Sequence, residues 1–292
     1  GISENRRLHM RDGSEVDMRR SYSLPNDQAI ASVGAIDSQI GLLRLDRLDG
    51  RNFALIYNFA CHPIMNPPSS GNSADFPGVA SAIVEEQLGG TAFFIQGCAG
   101  DINPVHYKHV TQPANATPLG NQLAVSVLRA ARKITTQADS PLRFVRQNML
   151  LPRGADLTAR IAKVEAERLR LTQSLRANNL NFKSFLPLLL QQKLNPDYPS
   201  QSAQSYLHER SIGKDGIAKL DADNRLAVEA YLGNLAIMEQ ITRLNTNLGL
   251  LKMHLAHNQK ALEKPLDVEL TALRVGDFRL VTFPGELTSE IG

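Results

Sequence analysis

Tryptophan is absent from these 292 residues, aromatic residues of all kinds make up 5%, and there are two cysteines. Two cysteines cannot define a disulfide framework. Few aromatics, no clustered basic tract and a net charge of only +3 leave a nucleic-acid platform without support. No run reaches the roughly 18 consecutive apolar residues of a membrane helix, so no transmembrane segment is expected. No signal peptide is seen, in a chain that opens without an initiator Met. A Gly-x-Ser-x-Gly elbow, a Walker loop, Gly-x-Gly-x-x-Gly and His-Glu-x-x-His are all missing, which removes the commonest hydrolase, nucleotide and zincin signatures. What remains is ordinary for a soluble globular protein: 42% hydrophobic and 21% charged residues. The length suffices for a sizeable core, as one large domain or a domain with an insertion.

The informative stretch is Asn52 to Pro104. Asn52–Ala60 and Thr91–Gly97 are short apolar runs rich in aromatic and β-branched residues. They are near-continuous rather than alternating, as strands buried on both faces are. Between them Val79, Ile83, Val84 and Leu88 recur at helical spacing, with Asp75 as the expected N-cap and Gly89-Gly90 as the stop. Strand, helix, strand with so long a crossover predicts a right-handed parallel pair. His62 and the Cys98–Asp101 turn then emerge at the same carboxyl edge of the sheet, where open α/β sheets bind ligands. Asp75 begins the helix whose N-terminus lies at that edge and favours anionic groups. Cys61 and Cys98, at the ends of the two strands, fit either a pair or two buried thiols.

Elsewhere Gly1–Gln39 reads as polar and irregular, with a turn at Pro25-Asn26-Asp27. Ile40–Asp46 is a strand that Asp49-Gly50 turns into Asn52–Ala60. A helix is expected over about Leu119–Lys133, and a strand, at an edge, over Leu142–Leu151. From about 155 to 264 the character is helical: one helix from Leu157 to near Asn178-Asn179, a loop over Asn195–Ser205, and a long pattern over Leu226–Leu262 broken at Gly249. An amphipathic stripe of this kind is far more often core than a partner-binding face. Val268–Val275 and Phe278–Phe283 form a second hairpin, which delivers Pro284-Gly285-Glu286 at a strand end. The fold class is therefore α/β, a mixed sheet with a parallel βαβ core and a helical insertion.

Among the polar residues, His62 stands out because it sits at the expected binding edge beside an acidic turn, and imidazole is a good zinc ligand. Glu286 could bring a carboxylate from the second hairpin to the same cleft, provided Phe278–Phe283 joins the first sheet parallel to Asn52–Ala60. Taken alone, Glu286 reads as a surface residue of a Pro-Gly turn, and Asp101 as a turn former. His106 and His109 read as surface loop residues. Cys98, in Gly-Cys-Ala-Gly-Asp, is an alternative nucleophile with His62 as its base, which would make a cysteine-dependent amidase. A non-catalytic binding module is the reading from a different class.

The ordered motifs Asn5-Arg6-Arg7, Asp49-Gly50, Asn58-Phe-Ala-Cys-His-Pro63, Ser73-Ala-Asp-Phe-Pro-Gly78, Gly97-Cys-Ala-Gly-Asp-Ile-Asn-Pro104 and Phe283-Pro-Gly-Glu286 resemble the neutral/alkaline non-lysosomal ceramidase family, and more closely the bacterial ceramidase-like N-terminal domain. The resemblance touches both ends of the chain and skips most of the helical block. It implies one catalytic domain over 1–292, incomplete at both ends, with its insertion at about 155–264. The implied activity is a zinc-dependent hydrolase (an amidohydrolase) cleaving the N-acyl amide of a small-molecule or lipid substrate such as a sphingoid base. His62 and Glu286 are then zinc ligands, Arg6 a transition-state contact and Asp101 a catalytic acidic position. Asp75 and Asn103 take substrate-binding places. Secretion or a periplasmic location is the corresponding expectation. The chain departs from the family at Asn103, where ceramidases carry Ser in Gly-Asp-x-Ser-Pro, so a serine-dependent step is not expected. The family's upstream His-Thr-His-Ser-Gly segment and the Tyr after Pro-x-Glu are also missing, leaving part of a metal shell.

Overall fold

The computed structural model describes residues 1–18, 25, 27–66, 71–105, 107, 111, 114–138 and 140–291. His106, His109 and Asn26 of the expected turn lie outside the described residues. The fold is α/β, with a mixed sheet built around a parallel βαβ unit and with a helical insertion. The chain divides into two compact units, Gly1–Arg153 with Lys264–Gly292, and Gly154–Glu263.

The first unit opens with structure where the sequence reads as irregular. Strands β1 (Ser3–Asn5), β2 (Arg7–Met10), β3 (Glu15–Asp17) and β4 (Ile30–Val33) are present, and β2 lies between β3 and β4. Each spans three or four residues, too few for an alternating pattern to stand out. Next come β5 (Gly41–Asp46) and β6 (Asn52–Phe59), an antiparallel hairpin whose turn places Gly50 at φ 82°. Helix α1 (Asp75–Leu88) then returns the chain to β7 (Thr91–Gln96), parallel to β6. Gly89 and Gly90, at φ 69° and 73°, end the helix in the left-handed region that costs glycine least. The expected N-cap is corrected by one position: Ala74 occupies the cap without a side-chain bond, and Asp75 is the first helical residue.

Alternate residues of β6 point one way. Leu55, Tyr57 and Phe59 are buried against Phe76, Ala80 and Val84 of α1 and against Leu123, Ala124 and Val127 of α2 (Thr117–Ala131). Tyr57 is wholly buried, and its hydroxyl donates to Pro77 O at 3.0 Å, which removes the cost of a buried polar tip. Its ring lies 5.5 Å from that of Phe94. Strand β8 (Ile102–Pro104) precedes α2 and pairs antiparallel with β1, so the start of the chain is stitched beside the Cys98–Asp101 turn. Strand β9 (Leu142–Leu151) follows α2.

The second unit is helical: α3 (Leu157–Gln173), α4 (Phe182–Leu194), α5 (Ala203–Ser211) and α6 (Gly216–Lys260). Two expectations are corrected here. Helix α3 stops at Gln173, short of Asn178, and α6 is one helix of 45 residues that runs unbroken through Gly249. A lone glycine costs a helix roughly 1 kcal/mol, and its neighbours Leu248 and Leu251 offset this by burying themselves against Leu157 and Ile161 of α3. Those two residues are core within this unit, while Leu235 and Met238 of the same apolar stripe are 41% and 55% exposed.

The chain then returns to the first unit as β10 (Leu266–Val275) and β11 (Phe278–Thr282), joined by a turn with Gly276 at φ 56°. Here the expectation that Phe278–Phe283 is a buried strand of the first sheet fails. The strand order is β11–β10–β9, a separate antiparallel sheet, and Val281 is 71% exposed. The apolar run is explained by β-propensity and cross-strand pairing to β10, not by burial on both faces.

Candidate functional site

His62 follows β6 by three residues and is held twice by one acceptor. Its backbone N–H donates to Ile102 O at 3.1 Å, and its ring Nδ1 lies 2.8 Å from the same oxygen. A carbonyl oxygen can only accept, so Nδ1 carries a proton and Nε2 is turned outward. Opposite it, Glu286 Oε2 lies 3.4 Å from His62 Nε2. The histidine side chain is 21% exposed and the glutamate 65%, so the pair sits at the surface with an accessible side. At this distance a proton on Nε2, or a cation held between the two groups, joins them.

Glu286 reaches His62 by a route other than the expected one. β11 ends in the separate sheet, and the residues after it are tied to the Cys98–Asp101 turn instead. Gly100 N donates to Leu287 O at 2.7 Å. A Cβ at position 100 would lie 2.7 Å from Glu286 O and 2.8 Å from Leu287 O, so glycine is required for this approach. The Ser289 backbone N–H donates to Asp101 Oδ1 at 3.0 Å.

The remaining expected residues are near this junction but engaged with protein groups. Asp101 is 1% exposed; Asn5 Nδ2 donates to its Oδ2 at 3.1 Å, and Arg7 Nε lies 3.6 Å from the same oxygen. Arg6 donates from its backbone N to Asp101 O at 2.9 Å and from Nη2 to Gly100 O at 2.5 Å. Its Nε pairs with Asp17 at 3.0 Å. A guanidinium has five donors, so these contacts fix its plane without exhausting it. Asp75 accepts from Asn66 N and Phe76 N, each at 2.7 Å, and so closes the loop after His62. Asn103 is 2% exposed, and its Nδ2 finds no hydrogen-bond partner among the described residues. Sequence reasoning missed Ser289 and the ties of Gly100; the glycine-rich turn was the one signal for the latter.

The cysteines are both free thiols. Burial pushes the Cys61 thiol up to about 12, with the negative charges of Asp75 and Glu4 adding to the effect. The Cys98 thiol is also raised, first by burial and then by Asp37.

Among the described residues, no three His, Cys, Asp or Glu side chains gather to hold a metal ion, and no helix is long and apolar enough to cross a membrane. Still, the donor pair that is present fits zinc. Ligand atoms about 2.0–2.2 Å from a tetrahedral ion are separated by roughly 3.3–3.6 Å, and His62 Nε2 and Glu286 Oε2 are 3.4 Å apart. The backbone carbonyl on Nδ1 is the outer partner that ligating histidines usually have. Two cavities lie elsewhere. One of about 510 Å³ is lined by Ile2, Ile36, Phe59 and Val125, the other, of about 590 Å³, by Arg44, Arg47 and Asn52.

No family model matches the chain, and no curated protein matches it. Solved structures similar to it include a neutral ceramidase from Pseudomonas aeruginosa, at 15% identity and TM-score 0.43, covering 100% of this chain and 39% of that one. Another, described as a ceramidase complexed with C2, matches at 21% identity and TM-score 0.35 over 42% of this chain and 22% of that one. The chain thus spans well under half the length of these solved proteins.

Proposed function

We propose that this chain is part of a zinc-dependent, ceramidase-like hydrolase of N-acyl amide bonds, with His62 and Glu286 among the metal ligands. The observation that carries the reading is the approach of the His62 imidazole and the Glu286 carboxylate, Nε2 to Oε2, to 3.4 Å. The ordered motifs around both residues support it. When bound, zinc supplies Lewis acidity, which brings water to a pKa of about 7 and polarises a carbonyl.

In amide hydrolysis a water oxygen bonds to the acyl carbon, the C–N bond breaks, and a proton passes to the departing amine. His62 contributes a ring whose orientation is fixed by Ile102 O, and Glu286 an exposed carboxylate. Arg6, its plane set by Asp17 and Gly100, would offer its remaining donors to the oxyanion that develops on the acyl carbonyl; pre-set donors of this kind need no reorganisation at the moment of reaction. Asn103, whose buried Nδ2 has no partner among the described residues, and Asp75 are the substrate contacts in this reading.

The cysteine reading is opposed by one observation. A nucleophilic cysteine needs a lowered thiol pKa, and that of Cys98 is raised.

Zinc content after dialysis, together with hydrolysis of a short-chain ceramide, tests the proposal. In the complete protein the wild type should hold zinc, while His62→Ala should lose it and retain its far-ultraviolet circular dichroism. Glu286→Gln, which keeps size and removes charge, should weaken zinc binding at least tenfold. Unchanged zinc affinity in Glu286→Gln would remove Glu286 from the site and sink the reading.

A further inference from the structure

Asp101 is a carboxylate at 1% exposure that joins its own turn to two segments distant in sequence, the start of the chain and residues 286–289. From β1 it takes the Asn5 side-chain amide at 3.1 Å, and from the C-terminal segment the Ser289 backbone N–H at 3.0 Å. From β2 it takes the Arg7 guanidinium at 3.6 Å, which supplies the countercharge a buried carboxylate requires. The joint is doubled. Asn5 Nδ2 and Ser289 Oγ both donate to Ala35 O, at 2.6 and 2.8 Å. Asn5 Oδ1 in turn accepts the Arg7 backbone N–H at 2.8 Å. One residue away, Gly100 N holds Leu287 O at 2.7 Å. The segment that carries Glu286 is therefore fastened on its C-terminal side at Leu287 and Ser289, while Glu286 itself remains 65% exposed and touches His62.

We propose that Asp101 is a positioning residue rather than a catalytic one: its buried carboxylate, through the Ser289 amide, holds the 286–289 turn so that Glu286 meets His62. Glu286 is more than two hundred residues from His62 in the chain, and it leaves a sheet that does not pair with the His62 strand. Something other than strand pairing must bring the two together, and these hydrogen bonds do so. The metal arm of the test below rests on the function proposed above; the exchange arm does not.

Asp101→Asn leaves one acceptor oxygen where two donors need one each. An amide NH₂ is then set against either the Ser289 N–H or the Asn5 NH₂, and the countercharge to Arg7 is lost. Amide hydrogen exchange should quicken tenfold or more over residues 286–291 in this variant, with α1 and α2 unchanged. Ser289→Pro removes the donated N–H and leaves Asp101 in place, so it reads the same joint if Asp101→Asn fails to fold. Ser289→Ala keeps the N–H but removes the Oγ donation to Ala35 O, and should quicken exchange less than Asp101→Asn does. In zinc titrations Asp101→Asn should weaken binding about as much as Glu286→Gln does, and should add nothing in the Glu286→Gln background, as two changes acting through one contact behave. Unchanged exchange over 286–291 in both Asp101→Asn and Ser289→Pro would overturn the proposal. So would an Asp101→Asn effect on zinc that persists in full when Glu286 is already replaced. Absence of zinc from the complete wild-type protein would refute the proposed function, and the exchange result would still decide the role of Asp101.

Discussion

Two three-stranded sheets of the first unit, β5–β6–β7 and β11–β10–β9, are built from similarly apolar strands and meet different fates. In β6, Leu55 and Tyr57 are at 0% exposure because α1 and α2 lie over them. In β9, nine of ten residues are exposed, among them Leu142 at 69% and Val145 at 59%. The difference teaches that apolar content makes a strand, while the element packed on it makes a core. The crossover helix is part of the βαβ unit, so β6 and β7 bring their own cover. A hairpin such as β10–β11 brings none.

That contrast is open to measurement, and the largest effect belongs to the covered sheet. Phe76→Ala, which empties the space between α1 and Phe94, should cost about 3–5 kcal/mol in urea unfolding. Phe144→Ala on β9, where the ring is 53% exposed, should cost within about 0.5 kcal/mol. Equal costs would mean that β9 is covered in solution, and the comparison would collapse.

A smaller effect separates the sheets by pH. Cys61, at the end of β6, has its folded pKa raised from 9.0 to about 12, chiefly by burial. The folded state therefore holds this proton more tightly than the unfolded chain does. The associated stability is fully present below pH 9 and declines as pH rises towards 12. Between pH 8 and pH 10 the loss should be about 1.4 kcal/mol. Cys61→Ala should remove that part of the alkaline slope, and an unaltered slope in the variant would show that the thiol does not cause it.

The smallest effect is expected on the uncovered sheet. Arg146 and Glu269 approach to 3.8 Å across β9 and β10, with side chains 64% and 50% exposed. Glu269→Gln should shift stability by less than about 0.5 kcal/mol, with little dependence on salt. A loss above 1 kcal/mol would show that the pair is shielded from water, against the exposure that defines this sheet.

How much of this was legible beforehand follows from the range of each interaction. Gly89-Gly90, the 3.6-residue spacing of Val79, Ile83 and Val84, and the Asp49-Gly50 turn are local signals, and they located β6, α1 and β7 to within a residue or so. The strands near the start of the chain escaped because each spans three or four residues, too few for a pattern, and β1 has a distant partner as well: Ser3 pairs with Pro104. In α6 the break expected at Gly249 did not occur, because burial of Leu248 and Leu251 against α3 outweighs the preference of one residue.

By itself the sequence determined the local conformations, the turns that end them and the residues able to do chemistry, since these depend on neighbours a few positions apart. It marked His62 and Glu286 as candidates, but the route by which they meet was misjudged: a shared parallel sheet was expected, and the chain instead uses Gly100, Asp101 and Ser289. Only the tertiary structure decided which strand pairs with which, which apolar faces are covered, and that the two candidate groups stand 3.4 Å apart. The physical reason is that side-chain periodicity encodes that a face is apolar, not what will lie against it. The entropic cost of closing a loop also rises so slowly with length that distant partners compete almost on equal terms with near ones.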